Sequence, residues 1–393
     1  MTGENIVCFA KDWTEDPTSN NHVMKMLARD NKVLWLNSIA TRAPKLSSGS
    51  DLSKIGRKLR SFLKGPTEVA DHLWIYTPIV LPFPHSSAAK AVNTQILKQS
   101  IGLLRRKLGM GPFQLWSFIP TAADYVGTLG ESLAVYYCTD EWSQFSSVDS
   151  AKIVEMERTL CRKADVVFTT SRTLLEKKKQ WNPETYLASH GVDQAHFARA
   201  LADGTEVPQE IAGLPRPMLG FFGLVEDWID LDLFAYLAEQ RPAWTIVIIG
   251  KSKVDTARLE KLPNVKLVGR KPYEELPRWC KAFSVGLMPF KLNELTRNVN
   301  PIKMREYLSA GLPVVSTSLP EVTYYQEWCA VADTPAQFLA ACDAAIKDDS
   351  PARRRARAEA MKQETWEEKV KQLGARVEAA QARKPEKPVQ APG

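Results

Sequence analysis

The residues best placed to do chemistry lie in Asn300-Pro301-Ile302-Lys303-Met304-Arg305-Glu306-Tyr307-Leu308-Ser309-Ala310-Gly311-Leu312-Pro313. Asn300 is a good N-cap and Pro301 a favoured first helical residue. Gly311 can end that helix in the left-handed conformation, and Pro313 prevents its continuation. A helix N-terminus presents free N–H groups and the positive end of a dipole, worth roughly 0.3–1 kcal/mol to an anion. Lys303, in the first turn, adds a point charge suited to a diphosphate. Glu306 follows at i+3 on the same face. A carboxylate there can accept two ribose hydroxyls, at roughly 1.5–3 kcal/mol per charged hydrogen bond. A solvated ion pair shows the same spacing. The strand patterns Val285–Met288 and Pro313–Ser316, with the Pro289-Phe290 turn between, favour phosphate and ribose recognition.

A second cluster is Tyr136-Tyr137-Cys138-Thr139-Asp140-Glu141-Trp142-Ser143, at the C-terminal end of a strand pattern. In α/β sheets that edge faces the ligand crevice. Asp140 or Glu141 there is a candidate general base for an attacking hydroxyl; a loop carboxylate or a cap is the plainer alternative. Lys11-Asp12-Trp13-Thr14 and Ser19-Asn20-Asn21-His22 form a polar loop before a helix. His190 sits in a Gly-Val-Asp turn and reads as structural.

These groups need sheets to hold them. Strand patterns fall at Ile6–Ala10, Val33–Asn37, Leu73–Tyr76, Gln114–Ser117, Leu133–Cys138, Val166–Thr169 and Thr185–Ser189, with helical patterns between them. After a polar stretch rich in proline they resume at Met218–Phe222, Thr245–Ile249, Val265–Val268, Val285–Met288 and Pro313–Ser316. This alternation predicts an α/β chain of two parallel-sheet, Rossmann-like domains. The expected division is 1–200, a linker at 201–217, a second domain at 218–363, a helix at 364–382 returning to the first domain, and a disordered tail at 383–393.

The 393 residues suit two domains, and 44% hydrophobic with 25% charged residues is ordinary for a globular chain. A net charge of +7 suits acidic substrates or surfaces without choosing among them. The six cysteines show no zinc or disulfide spacing, which points to a reducing compartment. Neither a signal peptide nor a membrane-spanning run is evident, so a cytoplasmic location is expected. Leu52–Lys64 and Ile96–Gly111 are basic amphipathic stretches that suit peripheral contact with an anionic membrane on its inner face. No aromatic-rich basic module suggests nucleic acid.

The motifs carry a resemblance. Pro289-Phe290, Asn300-Pro301-x-Lys303, Glu306-Tyr307-Leu308-x-x-Gly311 and Pro313-Val314-Val315-x-Thr317 resemble GT-B glycosyltransferases. The similarity is to family-4-like enzymes and to the bacterial polysaccharide branch that includes teichuronic-acid-type transferases. Ser189-His190-Gly191-Val192-Asp193, Gly220-Phe221-Phe222-Gly223, Gly250, Asn264-Val265-x-x-x-Gly269 and Tyr273-x-x-Leu276-Pro277 extend it over roughly residues 185–330. The resemblance implies two Rossmann-like domains facing across a cleft, with a nucleotide-sugar donor, UDP-linked by expectation, on the second.

Carried over, Lys303 binds the diphosphate, Glu306 the ribose, and Gly223 lets backbone approach the donor. Asn298, Asn300 and Tyr273 join that site. Retaining members often carry Glu-x7-Glu, but here Asn298 holds the first position, which favours inversion. The Asp140-Glu141 stretch looks like that of bacterial glucuronosyltransferases using an Asp base. Asp12, Trp13 and His22 would touch a glycan or lipid-linked acceptor, although His22 also suits a helix surface. Asp230-Leu231-Asp232 is formally the metal-binding DxD of another glycosyltransferase fold, but it reads as a helix start, so no metal or other cofactor is expected. A sugar-nucleotide epimerase and a non-catalytic nucleotide-sugar scaffold are the alternatives.

Overall fold

The computed structural model describes residues 1–15, 18–38, 62, 64–81, 83, 86–145 and 148–384. Apart from Phe62 and Lys64, the basic stretch Leu52–Lys64 lies outside the described residues, as does the tail from residue 385. The chain divides into two units, Met1–Ser189 with Val370–Gly393, and His190–Lys369.

The first unit is built on eight strands: β1 Asn5–Phe9, β2 Lys32–Leu36, β3 Thr67–Ala70, β4 Leu73–Tyr76, β5 Gln114–Ser117, β6 Leu133–Cys138, β7 Val166–Thr169 and β8 Thr185–Leu187. They lie in the order β3-β4-β2-β1-β5-β6-β7-β8, and every pair is parallel except β3 with β4. The parallel strands are apolar runs because helices cover both faces. Ile6, Val7, Cys8 and Phe9 are wholly buried. Fully burying such side chains is worth roughly 1.5–3 kcal/mol apiece.

Helices Ser87–Lys107, Ser150–Lys163 and Arg172–Lys179 start at Ser86, Asp149 and Ser171, each accepting a backbone N–H of its first turn. The amphipathic stretch Ile96–Gly111 belongs mostly to the first of these, which starts nine residues earlier. Leu97, Ile101 and Leu104 pack into the core while Leu103 is exposed.

The second unit has six strands: β9 Met218–Phe222, β10 Thr245–Ile249, β11 Val265–Gly269, β12 Val285–Met288, β13 Val314–Thr317 and β14 Cys329–Ala332. Their order is β11-β10-β9-β12-β13-β14, all parallel. The winding reverses between β9 and β12, and ligands of such sheets bind beyond the strand C-termini at that point.

Residues 190–217 are counted with this unit and hold the helices Gln194–Ala198 and Gln209–Ala212. The helix Trp366–Arg383 starts in the second unit, and from Val370 on it belongs to the first, where Gln381 accepts from Gln114. Among the described residues no helix is long and apolar enough to cross a membrane.

Candidate functional site

In the second unit three strand ends and one helix converge. Gly223 directly follows β9 and its N–H donates to Ile249, and Gly250 directly follows β10 and its N–H donates to Gly269. Both glycines have left-handed φ values, 135° and 149°. A Cβ on Gly250 would collide with the Gly223 carbonyl oxygen, and one on Gly223 would collide with the Lys303 side chain, 2.6 Å from Nζ. Only glycine therefore permits this approach, and Lys303 lies against the backbone at the end of β9.

Lys303 belongs to the helix Ile302–Ser309. Tyr307 anchors that helix, its hydroxyl accepting the Phe222 N–H at 3.0 Å. Pro301 rather than Asn300 is the N-cap, and no side chain caps the helix. The backbone N–H groups of Ile302 and Lys303 find no acceptor among the described residues. Free donors of this kind are what an anion needs.

Glu306 is buried, and burial pushes its carboxyl up to about 7 against the opposing pull of Lys303. Burial lowers the Lys303 ammonium, with Glu306 acting the other way. Neither head group makes a hydrogen bond or ion pair with another described residue, so the solvated ion pair that the spacing also allows is not formed. The ammonium lies 5.8 Å from the Phe221 ring centre. Tyr273 stacks on His196 at 4.7 Å, and its phenol is raised by burial and by the Glu306 charge. Gly223, Lys303, Glu306 and Tyr273 thus form one cluster. Beside it, a cavity of about 410 Å³ is lined by Gly250, Lys251, Ser252 and Arg270.

Two expected members turn away from this cluster. Asn298 is wholly buried as the C-cap of the short helix Glu294–Arg297, where its Nδ2 donates to the Glu294 carbonyl at 2.6 Å. Asn300 is buried too, its Oδ1 accepting from Arg305 at 2.6 Å. Asn298 serves the backbone and Asn300 the Arg305 and Glu321 side chains, and both amides are buried. Asp230 accepts the Leu233 N–H at 2.9 Å as an N-cap, and exposed Asp232 pairs with Arg258, so the DxD is a helix start.

In the first unit, Asp140 follows β6. Burial raises its carboxyl, while a hydrogen bond from Thr139 and the charge of Lys11 oppose the rise. Glu141 is differently placed. Its carboxylate is buried and pairs with Lys177 at 3.2 Å and Lys178 at 3.8 Å, and it accepts from Ser143 at 2.9 Å. Lys178 in turn pairs with fully buried Glu157 at 2.7 Å. Glu141 is thus held in an ion-pair network with the two lysines of the neighbouring helix.

Asp12 ties β1 to β2, accepting from the Ser38 N–H at 2.9 Å and hydroxyl at 2.7 Å. Trp13 sits edge-on to Trp35 at 5.0 Å. His22 lies half-buried on the helix Ser19–Leu27. His190 is buried against Trp366.

Residues 216–348 match the family described as glycosyl transferases group 1. A putative teichuronic acid biosynthesis glycosyltransferase of Bacillus subtilis (strain 168), TuaH, is 28% identical over 231 residues, which are 53% of this chain and 57% of that protein. Sucrose-phosphate synthase from Thermosynechococcus elongatus superposes with a TM-score of 0.68 at 15% identity, over 97% of this chain and all of that one. The α,α-trehalose 6-phosphate synthase of Burkholderia multivorans gives 0.66 at 12% identity, over 97% and 99%. The starch synthase IV catalytic domain of Arabidopsis thaliana, bound to ADP and acarbose, gives 0.65 at 10%, over 98% and 100%. The second unit carries a group 1 glycosyltransferase domain, and the fold is that of the GT-B class.

Proposed function

We propose that this protein is a glycosyltransferase of bacterial polysaccharide or glycolipid synthesis, moving a hexose or uronic acid from a UDP-linked donor to a glycan or lipid-linked acceptor. The observation that carries the reading is the cluster of Lys303, Glu306 and the uncapped helix N-terminus against Gly223. A ribose diphosphate complements each part of it. The Lys303 ammonium and the free N–H groups of Ile302 and Lys303 take the phosphates, and Glu306 accepts the two ribose hydroxyls. The cavity beside Gly250, with Lys251 and Arg270, has room for the base.

In the reaction, an acceptor hydroxyl oxygen bonds to the anomeric carbon while the bond from that carbon to the phosphate oxygen breaks. The electron pair leaves with the diphosphate, where Lys303 and the helix N-terminus stabilise the growing charge. The hydroxyl proton passes to Asp140, whose raised pKa makes it a better base than an ordinary carboxylate. Displacement of this kind inverts the anomeric centre.

Thermal unfolding with UDP, GDP, ADP and their sugars is the first test. A ligand at 100 times its Kd stabilises by roughly 2.7 kcal/mol. A shift confined to uridine nucleotides supports the reading, and Lys303→Ala should remove it. No shift with any nucleotide overturns it.

A further inference from the structure

Arg305 is the largest buried charge in the second unit that the proposed chemistry does not use. It is 1% exposed although it sits on the donor helix between Lys303 and Glu306. All three kinds of guanidinium nitrogen are engaged. One donates to Asn300 Oδ1 at 2.6 Å, one to the Tyr325 hydroxyl at 2.7 Å, and Nε to Glu364 at 3.1 Å. Asn300 donates onward to buried Glu321 at 3.3 Å, and Glu364 also pairs with Lys369 at 2.9 Å. The guanidinium lies 5.1 Å from the Tyr325 ring centre.

Removing a charge this fully from water costs stability, and an apolar residue of similar volume often fills such a place at no loss. What the arrangement supplies is geometry. Asn300 immediately precedes the uncapped turn of Pro301, Ile302 and Lys303, and no side chain of that turn fixes it. Arg305 reaches back across a helical turn and clamps Asn300 from within. Its other two bonds fasten the clamp to Tyr325 and Glu364. The fork of a guanidinium makes these three bonds in fixed directions, which an ammonium cannot do.

We infer that Arg305 is a positioning residue for the diphosphate end of the nucleotide, fixing Asn300 and thereby the direction in which the Ile302 and Lys303 N–H groups and the Lys303 ammonium point. The inference rests on the reading of this helix as the nucleotide site. Arg305 itself touches no ligand. Its loss should therefore weaken the grip on phosphates and leave the nucleoside alone.

The test compares UDP with uridine, by calorimetry and ligand-observed NMR, on the full chain and on Arg305→Met, Arg305→Lys and Lys303→Ala. Arg305→Met should lose tenfold or more in UDP affinity and less than twofold in uridine affinity. Arg305→Lys should recover part of the loss. Equal losses for UDP and uridine, or UDP binding like the wild type, would each overturn the inference. Should Arg305→Met fail to fold, Tyr325→Phe, which removes one partner only, must still lower UDP affinity about threefold and spare uridine. If Lys303→Ala binds UDP normally, the nucleotide reading falls instead.

Discussion

Glu306→Gln offers the sharpest check, because one carboxyl carries both a stability signature and a ligand signature. The folded protein pushes this acid from its ordinary 4.5 up to about 7. An acid raised in the folded state holds its proton longer there than in the unfolded chain. Its contribution to stability is therefore complete below pH 4.5, is lost as the pH rises to about 7, and stays lost above. A gap of roughly 2.5 pH units at about 1.36 kcal/mol each corresponds to ~3 kcal/mol. Glutamine keeps the shape and cannot ionise.

Urea unfolding of both proteins from pH 4 to 8 should thus show the variant gaining about 3 kcal/mol on the wild type across that window. Differences between the two cancel the slopes of all other groups. Binding gives the second signature. Two ribose hydroxyls donating to the carboxylate favour its charged form, so UDP binding near pH 6.5 should release more protons from the wild type than from the variant, where only the phosphate contributes. UDP lacking both ribose hydroxyls should bind at least tenfold more weakly to the wild type and equally to Glu306→Gln. A stability difference flat with pH would refute the burial argument; equal affinity for UDP and its dideoxy form would refute the ribose assignment.

Other outcomes follow from the same geometry. Gly223→Ala should cost about 1–3 kcal/mol of stability, as a side chain at its φ requires, and should abolish UDP binding by displacing Lys303. Gly250→Ala should destabilise more in the same thermal scan, because its Cβ meets rigid backbone while that of Gly223 meets a flexible side chain. Asp140→Asn should lower turnover by 100-fold or more with UDP affinity intact, whereas Glu141→Gln should keep turnover within about threefold and lower Tm. Asp230→Ala should cost about 1 kcal/mol as a lost cap, and neither it nor EDTA should alter UDP affinity by calorimetry.

Much of this architecture could be read from patterns of two and 3.6. Each of the twelve strand runs read from the sequence coincides with a strand, to within a residue or two. Two strands escaped. β3 is exposed along its whole length and pairs antiparallel at an edge, so it shows no apolar run; β14, Cys-Ala-Val-Ala, is half-buried at its centre and carries one β-branched residue. Lys303 and Glu306 were legible because three residues along one helix decide that they share a face.

Long-range partners were not. Arg305 drew no reading of its own, since Tyr325 and Glu364 stand 20 and 59 residues away. Glu141 passed for a possible base because nothing local announces Lys177, 36 residues on. Asn300 has the composition of a cap, but Pro301 takes the extended geometry of that position and leaves the amide to Arg305.

The first unit is interrupted by the second. Residues 190–369 are made between its two parts, and its closing segment begins only at Val370. At about 5–20 residues per second, a ribosome takes roughly 9–36 s to cross those 180 residues. Through that interval the nascent first sheet waits without the helix that brings Gln381 to Gln114 and Lys384 to Asp165. The second unit has no such wait, because its residues follow one another without interruption. The later-made half can therefore finish its core before the earlier one.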